Sequence, residues 1–264
     1  MSKRVQQKQD RKAKIEAMRA RQRAQERRRR LIWFGGGGAV VVAVVVAVAV
    51  AVVSAGHGSS VTTSSEVVPP AVTGQTTVQA AAVTAPNTTG ISGVVAYDTT
   101  GYPAGSSNGP ANGALSHLHV TGPVRYSVTP PVGGQHNGEW LTCGVYDKPV
   151  PSENAVHNLE HGAVWITYQP SLPSSEVSKL RAFFARQSVL SAAAGGGGSR
   201  YIDLTPYPGL PAPIVVSSWG YQLRLSSPAD PRLQQLVDKF RVSQKYTPEY
   251  GSPCTGGTGT PLQQ

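Results

Sequence analysis

Hydrophobic positions are spread unevenly along the 264 residues. Residues 31–53, LIWFGGGGAVVVAVVVAVAVAVV, form a run of 23 without a charged side chain. As a helix rising about 1.5 Å per residue it reaches across roughly 30 Å of hydrocarbon, and being apolar on every side it has no face to offer water. The pattern predicts a transmembrane helix over 31–53. Residues 54–90 carry one charge, Glu66, and no aromatic or periodic apolar positions, which reads as a disordered linker. Beyond Gly90 the pattern becomes that of a folded domain. Residues 91–150 are rich in turn formers and predict short strands and long ordered loops, whereas 163–168 (AVWITY), 201–205 (YIDLT), 214–219 (IVVSSW) and 222–225 predict strands. Two amphipathic helices are also expected. Ser174 or Ser175 caps the first, with Val177, Leu180, Phe183 and Phe184 on one face; Asp230-Pro231 opens the second, with Leu233, Leu236, Val237 and Phe240 at helical spacing.

Strand, helix, strands and helix in this order predict an α+β domain over 91–254: a largely antiparallel sheet with helices on one side, followed by a flexible tail over 255–264. The glycine run 195–198 reads as a loop.

Charge fixes the expected orientation. Thirteen of the 24 Lys and Arg residues lie within residues 1–30 beside only three of the 14 acidic ones, so everything after residue 30 is neutral. A folded nucleic-acid-binding face is therefore not expected. Basic residues flanking a span stay on the cytoplasmic side, so the expectation is a basic cytoplasmic segment over 1–30 and an extracytoplasmic domain at the plasma membrane. Val53-Ser54-Ala55 offers small residues to a signal peptidase, but the apolar run exceeds the usual length of a cleaved signal, which favours a signal-anchor.

Cys143 and Cys254 are the only cysteines, both on the expected oxidising side, and a disulfide bond between them would close a loop of about a hundred residues. A redox or metal role is the rival reading, without a C-x-x-C to support it.

Five of the six His fall between residues 117 and 161: His117, His119, His136, His157 and His161. Positions i and i+2 of a strand share a face, as do i and i+4 of a helix, so His117 with His119, and His157 with His161, can each approach a common point. Residues 153–161 are expected to form about two turns of helix, with Gly162 ending it. Converging neutral imidazoles suit Cu or Zn. The candidate metal site is His119, His136, His157 and His161, with Glu160 orienting a ligand or binding directly. A hydrogen-bonded His/Glu network bracing the loops is the competing reading.

The elements PPVGGQH, GVY and VHNLEHG, in that order, resemble the bacterial family known as domain of unknown function 3105, over roughly residues 113–249. The resemblance implies a membrane-anchored cell-envelope protein with His119, His136, His157, Glu160 and His161 as signature positions, and it brings no established activity. His117 lies outside the family's pattern. Three functions follow: transition-metal binding; a non-catalytic envelope interaction module meeting a protein or polymer partner through loop aromatics; and a zinc hydrolase, since His157, Glu160 and His161 also satisfy H-x-x-E-H. That signature normally needs a long helix and a third ligand from a later one, whereas here Gly162 and a strand follow at once.

Overall fold

The computed structural model describes residues 74–79, 81–99, 115–190 and 198–264. The basic segment 1–30, the apolar run 31–53 and most of the linker lie outside them, and among the described residues no helix is long and apolar enough to cross a membrane. The domain is α+β. Its elements are β1 (Thr77–Val78), β2 (Thr84–Ala85), β3 (Val95–Tyr97), β4 (His119–Val120), β5 (Val124–Arg125), β6 (His136–Asn137), α1 (Ser152–Glu160), β7 (Val164–Tyr168), α2 (Ser174–Arg186), β8 (Ile202–Pro206), β9 (Ile214–Ser218), β10 (Tyr221–Leu225) and α3 (Arg232–Phe240).

Six strands form one sheet in the order β2-β3-β10-β9-β7-β8. All its pairs are antiparallel except β7 with β8, which are joined through α2 and run parallel. Strand alternation sorts the core into two. Val164, Ile166 and Tyr168 of β7 point to the face covered by Leu180, Phe183 and Phe184 of α2 and by Leu233, Leu236, Val237 and Phe240 of α3. Trp165 points the other way, into a second core with Trp219, Leu141, Tyr146 and the α1 residues Ala155, Val156 and Leu159.

This corrects the expectation of helices on one side. A strand whose side chains are apolar in both directions must be covered on both faces, and β7 is buried at all five positions, so α1 and the loops take the second face. The start of α2 also differs. It begins at Ser174 after Pro173, without a side-chain cap, and the N–H groups of Glu176 and Val177 donate to Pro173 O. Asp230 does act at the start of α3, where its Oδ1 accepts the N–H of Arg232 at 2.9 Å.

Part of the span read as linker is tied to the domain: β1 pairs with β5, and β2 adds to β3 at the sheet edge. A sheet edge offers unpaired backbone groups, so short Thr/Ala segments can add to it without a hydrophobic signature. The residues read as a flexible tail are likewise bridged, Thr258 to Leu141 and Gln263 to Val145. Gly257 makes that docking possible, since a Cβ there would lie 2.3 Å from Trp140 O. Cys143 and Cys254 are disulfide-bonded, with Cα atoms 5.3 Å apart and a sequence separation of 111.

Candidate metal centre

Three separate stretches of chain bring the histidines together. Strand β4 runs parallel to β6 with His119 opposite His136, and α1 packs on β6, bringing its His157 to the same place. The centroids of the three rings are each 4.9 Å from the other two. With Glu160 they form a group whose ligand atoms all lie within 4.8 Å of one another. His136 and Glu160 are buried and His119 is half exposed, so the group sits at the rim of the domain.

Backbone carbonyls set the direction of the rings. His136 donates its Nδ1–H to Gly134 O (2.7 Å), His157 to Asn137 O (2.7 Å) and His161 to Pro253 O (2.6 Å). In a neutral imidazole the proton on Nδ1 leaves the lone pair on Nε2, so these contacts fix the tautomer in which Nε2 can ligate. Glu160 collects the other contacts: its Oε1 meets His117 Nδ1, while its Oε2 lies 2.9 Å from His136 Nε2 and 3.8 Å from His119 Nε2. Burial pushes this carboxyl up, but the imidazoles of His117, His119 and His136 gathered around it outweigh that and hold the group well below the usual carboxylate range. The same carboxylate, 3.8 Å away, raises His119. His157 is pushed down to about 3, by burial first and then by His161 and His136, which keeps it a neutral ligand.

His136 Nε2 and Glu160 Oε2 are both buried, and neither has a hydrogen-bond partner of acceptable geometry. With Nδ1–H committed to Gly134, two lone pairs face each other across 2.9 Å unless a cation or an additional proton lies with them. The donor set therefore fits a metal ion: three imidazole nitrogens and one carboxylate oxygen make four ligands of the kind zinc takes.

His161 departs from the expected four-histidine set. It is the residue after the last turn of α1, and its ring, held by Pro253 O, points its Nε2 to Glu249 Oε2 at 3.5 Å. It belongs to a second group, His157, His161 and Glu249, although its ring centroid is only 4.4 Å from that of His157. The hydrogen bond with His161 holds Glu249 below the ordinary carboxylate range. The H-x-x-E-H string thus runs off the end of a nine-residue helix and sends Glu160 and His161 to different groups.

Sequence reasoning placed His117 outside the site, yet its ring reaches Glu160 while stacking on Trp219 at 4.7 Å between centroids. Its i, i+2 relation to His119 was the available signal. Glu249 had none, lying 88 residues from His161 in a segment without a motif. On the His117 side, a cavity of about 270 Å³ is lined by Trp219, Tyr221, Tyr246 and Lys245.

Fold and site together define an α+β domain carrying a histidine/glutamate cluster that can hold a metal ion. The chain belongs to the family described as protein of unknown function (DUF3105), which it matches over residues 117–256, more than half its length and including every residue of both groups. Residues 9–65 are similar to a second family, described as an inhibitor of host cell division protein domain, and all of that stretch precedes the described residues. No curated protein and no solved structure matches the chain.

Proposed function

We propose that this protein is a single-pass membrane protein whose extracytoplasmic domain binds one transition-metal ion, zinc(II) or copper(II), through His119, His136, His157 and Glu160. The observation that carries this reading is the pair of buried, unsatisfied atoms His136 Nε2 and Glu160 Oε2 at the centre of three converging rings. The choice of metal follows from the ligands. Copper(I) favours thiolate and thioether donors, but both cysteines are in the disulfide and the only methionines are Met1 and Met18, whereas imidazole with one carboxylate suits the divalent ions. The anchor and the outward orientation are supported by the uncharged run 31–53 directly after the cluster Arg27 to Arg30, and by the disulfide, which suits an oxidising compartment.

One observation favours a second reading. A proton shared with Glu160 would make His136 an imidazolium and satisfy the same two atoms, turning the cluster into a brace for the loops without any metal. The two readings separate cleanly. The full chain in detergent is dialysed against zinc or copper and its bound metal counted. One ion per chain, with affinity lowered at least tenfold in H136Q or H157Q variants that retain their fold, is the expected result. A folded chain that takes up no ion is the brace.

A further inference from the structure

The two groups of candidate ligands share one residue. His157 donates its Nδ1–H to Asn137 O and so has a single ring lone pair, on Nε2. It belongs both to the group with His119, His136 and Glu160 and to the group with His161 and Glu249. We infer that His157, His161 and Glu249 form a second position for a divalent transition-metal ion, filled in alternation with the first because both need the same nitrogen of His157. This rests on the reading that the first group holds such an ion.

The second position is built in the same way as the first. His161 gives its Nδ1–H to Pro253 O and directs Nε2 toward Glu249 Oε2, and both histidines of the pair are nearly fully buried. Its carboxylate differs. The Glu249 side chain is 48% exposed and that of Glu160 1%, so the second position opens on solvent at its carboxylate, whereas the first does so only at His119, likewise 48% exposed. Backbone geometry holds the two together: the N–H of Glu249 donates to the carbonyl of Glu160 at 3.0 Å.

The donor count separates their roles. Three protein ligands leave a coordination position for water, as in open zinc sites, while four can complete a tetrahedral shell. An ion bound first by Glu249, His161 and His157 passes to the first position by exchanging the first two for Glu160, His136 and His119, keeping its bond to His157 throughout. No electron moves and no bond other than metal–ligand bonds changes. The three-ligand set receives the ion and the four-ligand set holds it.

Cobalt(II) is the probe, because its visible absorption reports the ligand set, and the full chain in detergent is titrated while bound cobalt is counted by equilibrium dialysis. One equivalent is expected for the unaltered chain. An H119A/E160Q variant, its fold checked by circular dichroism, is expected to retain one equivalent with a changed spectrum and at least tenfold weaker affinity. E249Q is expected to retain one equivalent with the unaltered spectrum and slower uptake. Two equivalents on the unaltered chain overturn the alternation. No cobalt on folded H119A/E160Q, with one equivalent still on E249Q, overturns the second position and leaves the first intact; no cobalt on the unaltered chain removes both. Because the His119 side chain is half exposed, H119A alone keeps the test available should E160Q fail to fold: adding E249Q to it must change the spectrum again, and an unchanged spectrum overturns the inference.

Discussion

On one face of the sheet, Leu180, Phe183 and Phe184 of α2 and Leu233, Leu236, Val237 and Phe240 of α3 close over β7, β8, β9 and β10 with apolar side chains. On the other, α1 buries Asn154, His157, Asn158 and Glu160 along with its Ala155, Val156 and Leu159. The first face is held by regular elements and apolar area, which is favourable without direction. The second is held by directed contacts: Asn154 Nδ2 to Glu139 O, Glu153 Oε1 to the N–H of Val124, the histidine Nδ1–H groups to carbonyls, and the disulfide. Buried polar groups are costly unless each finds its partner, so the second face is where the chain accepts strict geometry for the sake of a site. One face provides the stability that the other needs to hold chemistry in place.

The largest expected effect comes from removing the disulfide. A C143S/C254S variant should lose about 4–5 kcal/mol of unfolding free energy in the chain-entropy view, because a loop of 111 residues is no longer closed in the unfolded state. The comparison predicts that the site suffers more than the α2/α3 core, since Pro253 and Glu249 lie on the strand of chain so released. Denaturation followed together with cobalt uptake checks this, and equal losses in both would break the comparison.

A truncation on the other face should do the opposite. F184A, at a fully buried position, is expected to cost about 3–5 kcal/mol while leaving metal stoichiometry and affinity unchanged wherever the variant is folded. A changed affinity would show that the two faces are not separable.

The smallest effect, and the one that sharpens the boundary between the faces, concerns Asp203. It sits on β8, fully buried, where Asn158 Nδ2 donates to Oδ2 at 2.7 Å and the N–H of Gly144 to Oδ1 at 3.2 Å. Burial pushes its carboxyl up to about 7, and those two hydrogen bonds only partly oppose it. A folded-state value above the unfolded one means that the folded chain binds the proton more tightly. The contribution is therefore fully present below about pH 4 and is lost as pH rises to about 7, a change of at most a few kcal/mol. D203N should flatten the dependence of stability on pH across that window, read from denaturant midpoints at successive pH values; an unchanged slope would assign it to other groups.

How much of this was legible in the sequence follows the same division. The apolar periods of Leu180, Phe183 and Phe184, and of Leu233, Leu236, Val237 and Phe240, identify α2 and α3, and β7 to β10 are visible as apolar runs, because area burial leaves its period in the residue order. The helix α1 was legible too, from Glu153 to its stop at Gly162. That α1 covers the opposite face was not. Nothing local in a helix says which side of a sheet it joins; the information lay in Trp165, one residue out of phase with Val164 and Ile166. The histidine stretches were visible as a family pattern, and His119, His136, His157 and Glu160 do meet. At the edges the structure adds partners that the sequence does not show. His161 turns to Glu249 because a carbonyl at Pro253, 92 residues away, holds its ring, and His117 joins by stacking on Trp219, 102 positions away. Contacts of that sequence separation, made through backbone atoms and ring faces, leave no pattern of their own in spacing or residue type, and for His117 only its i, i+2 relation to His119 pointed to the site. The two-residue strands β1, β2, β4, β5 and β6 are invisible for a related reason, being too short for an alternation to be read.

Gly162 gives the two carboxylates a common wall. A Cβ at this position would come within 2.6 Å of Thr247 Oγ1 and 3.1 Å of Val242 Cα, and the backbone there has φ of +94°. The missing methyl is what lets the end of α1 touch the segment carrying Glu249. Position 162 thus acts as a spacing screw: a side chain inserted there would wedge Glu249 away from His161 and His157 while every candidate ligand stayed chemically intact. Distance between the carboxylates could then be varied independently of the atoms that bind.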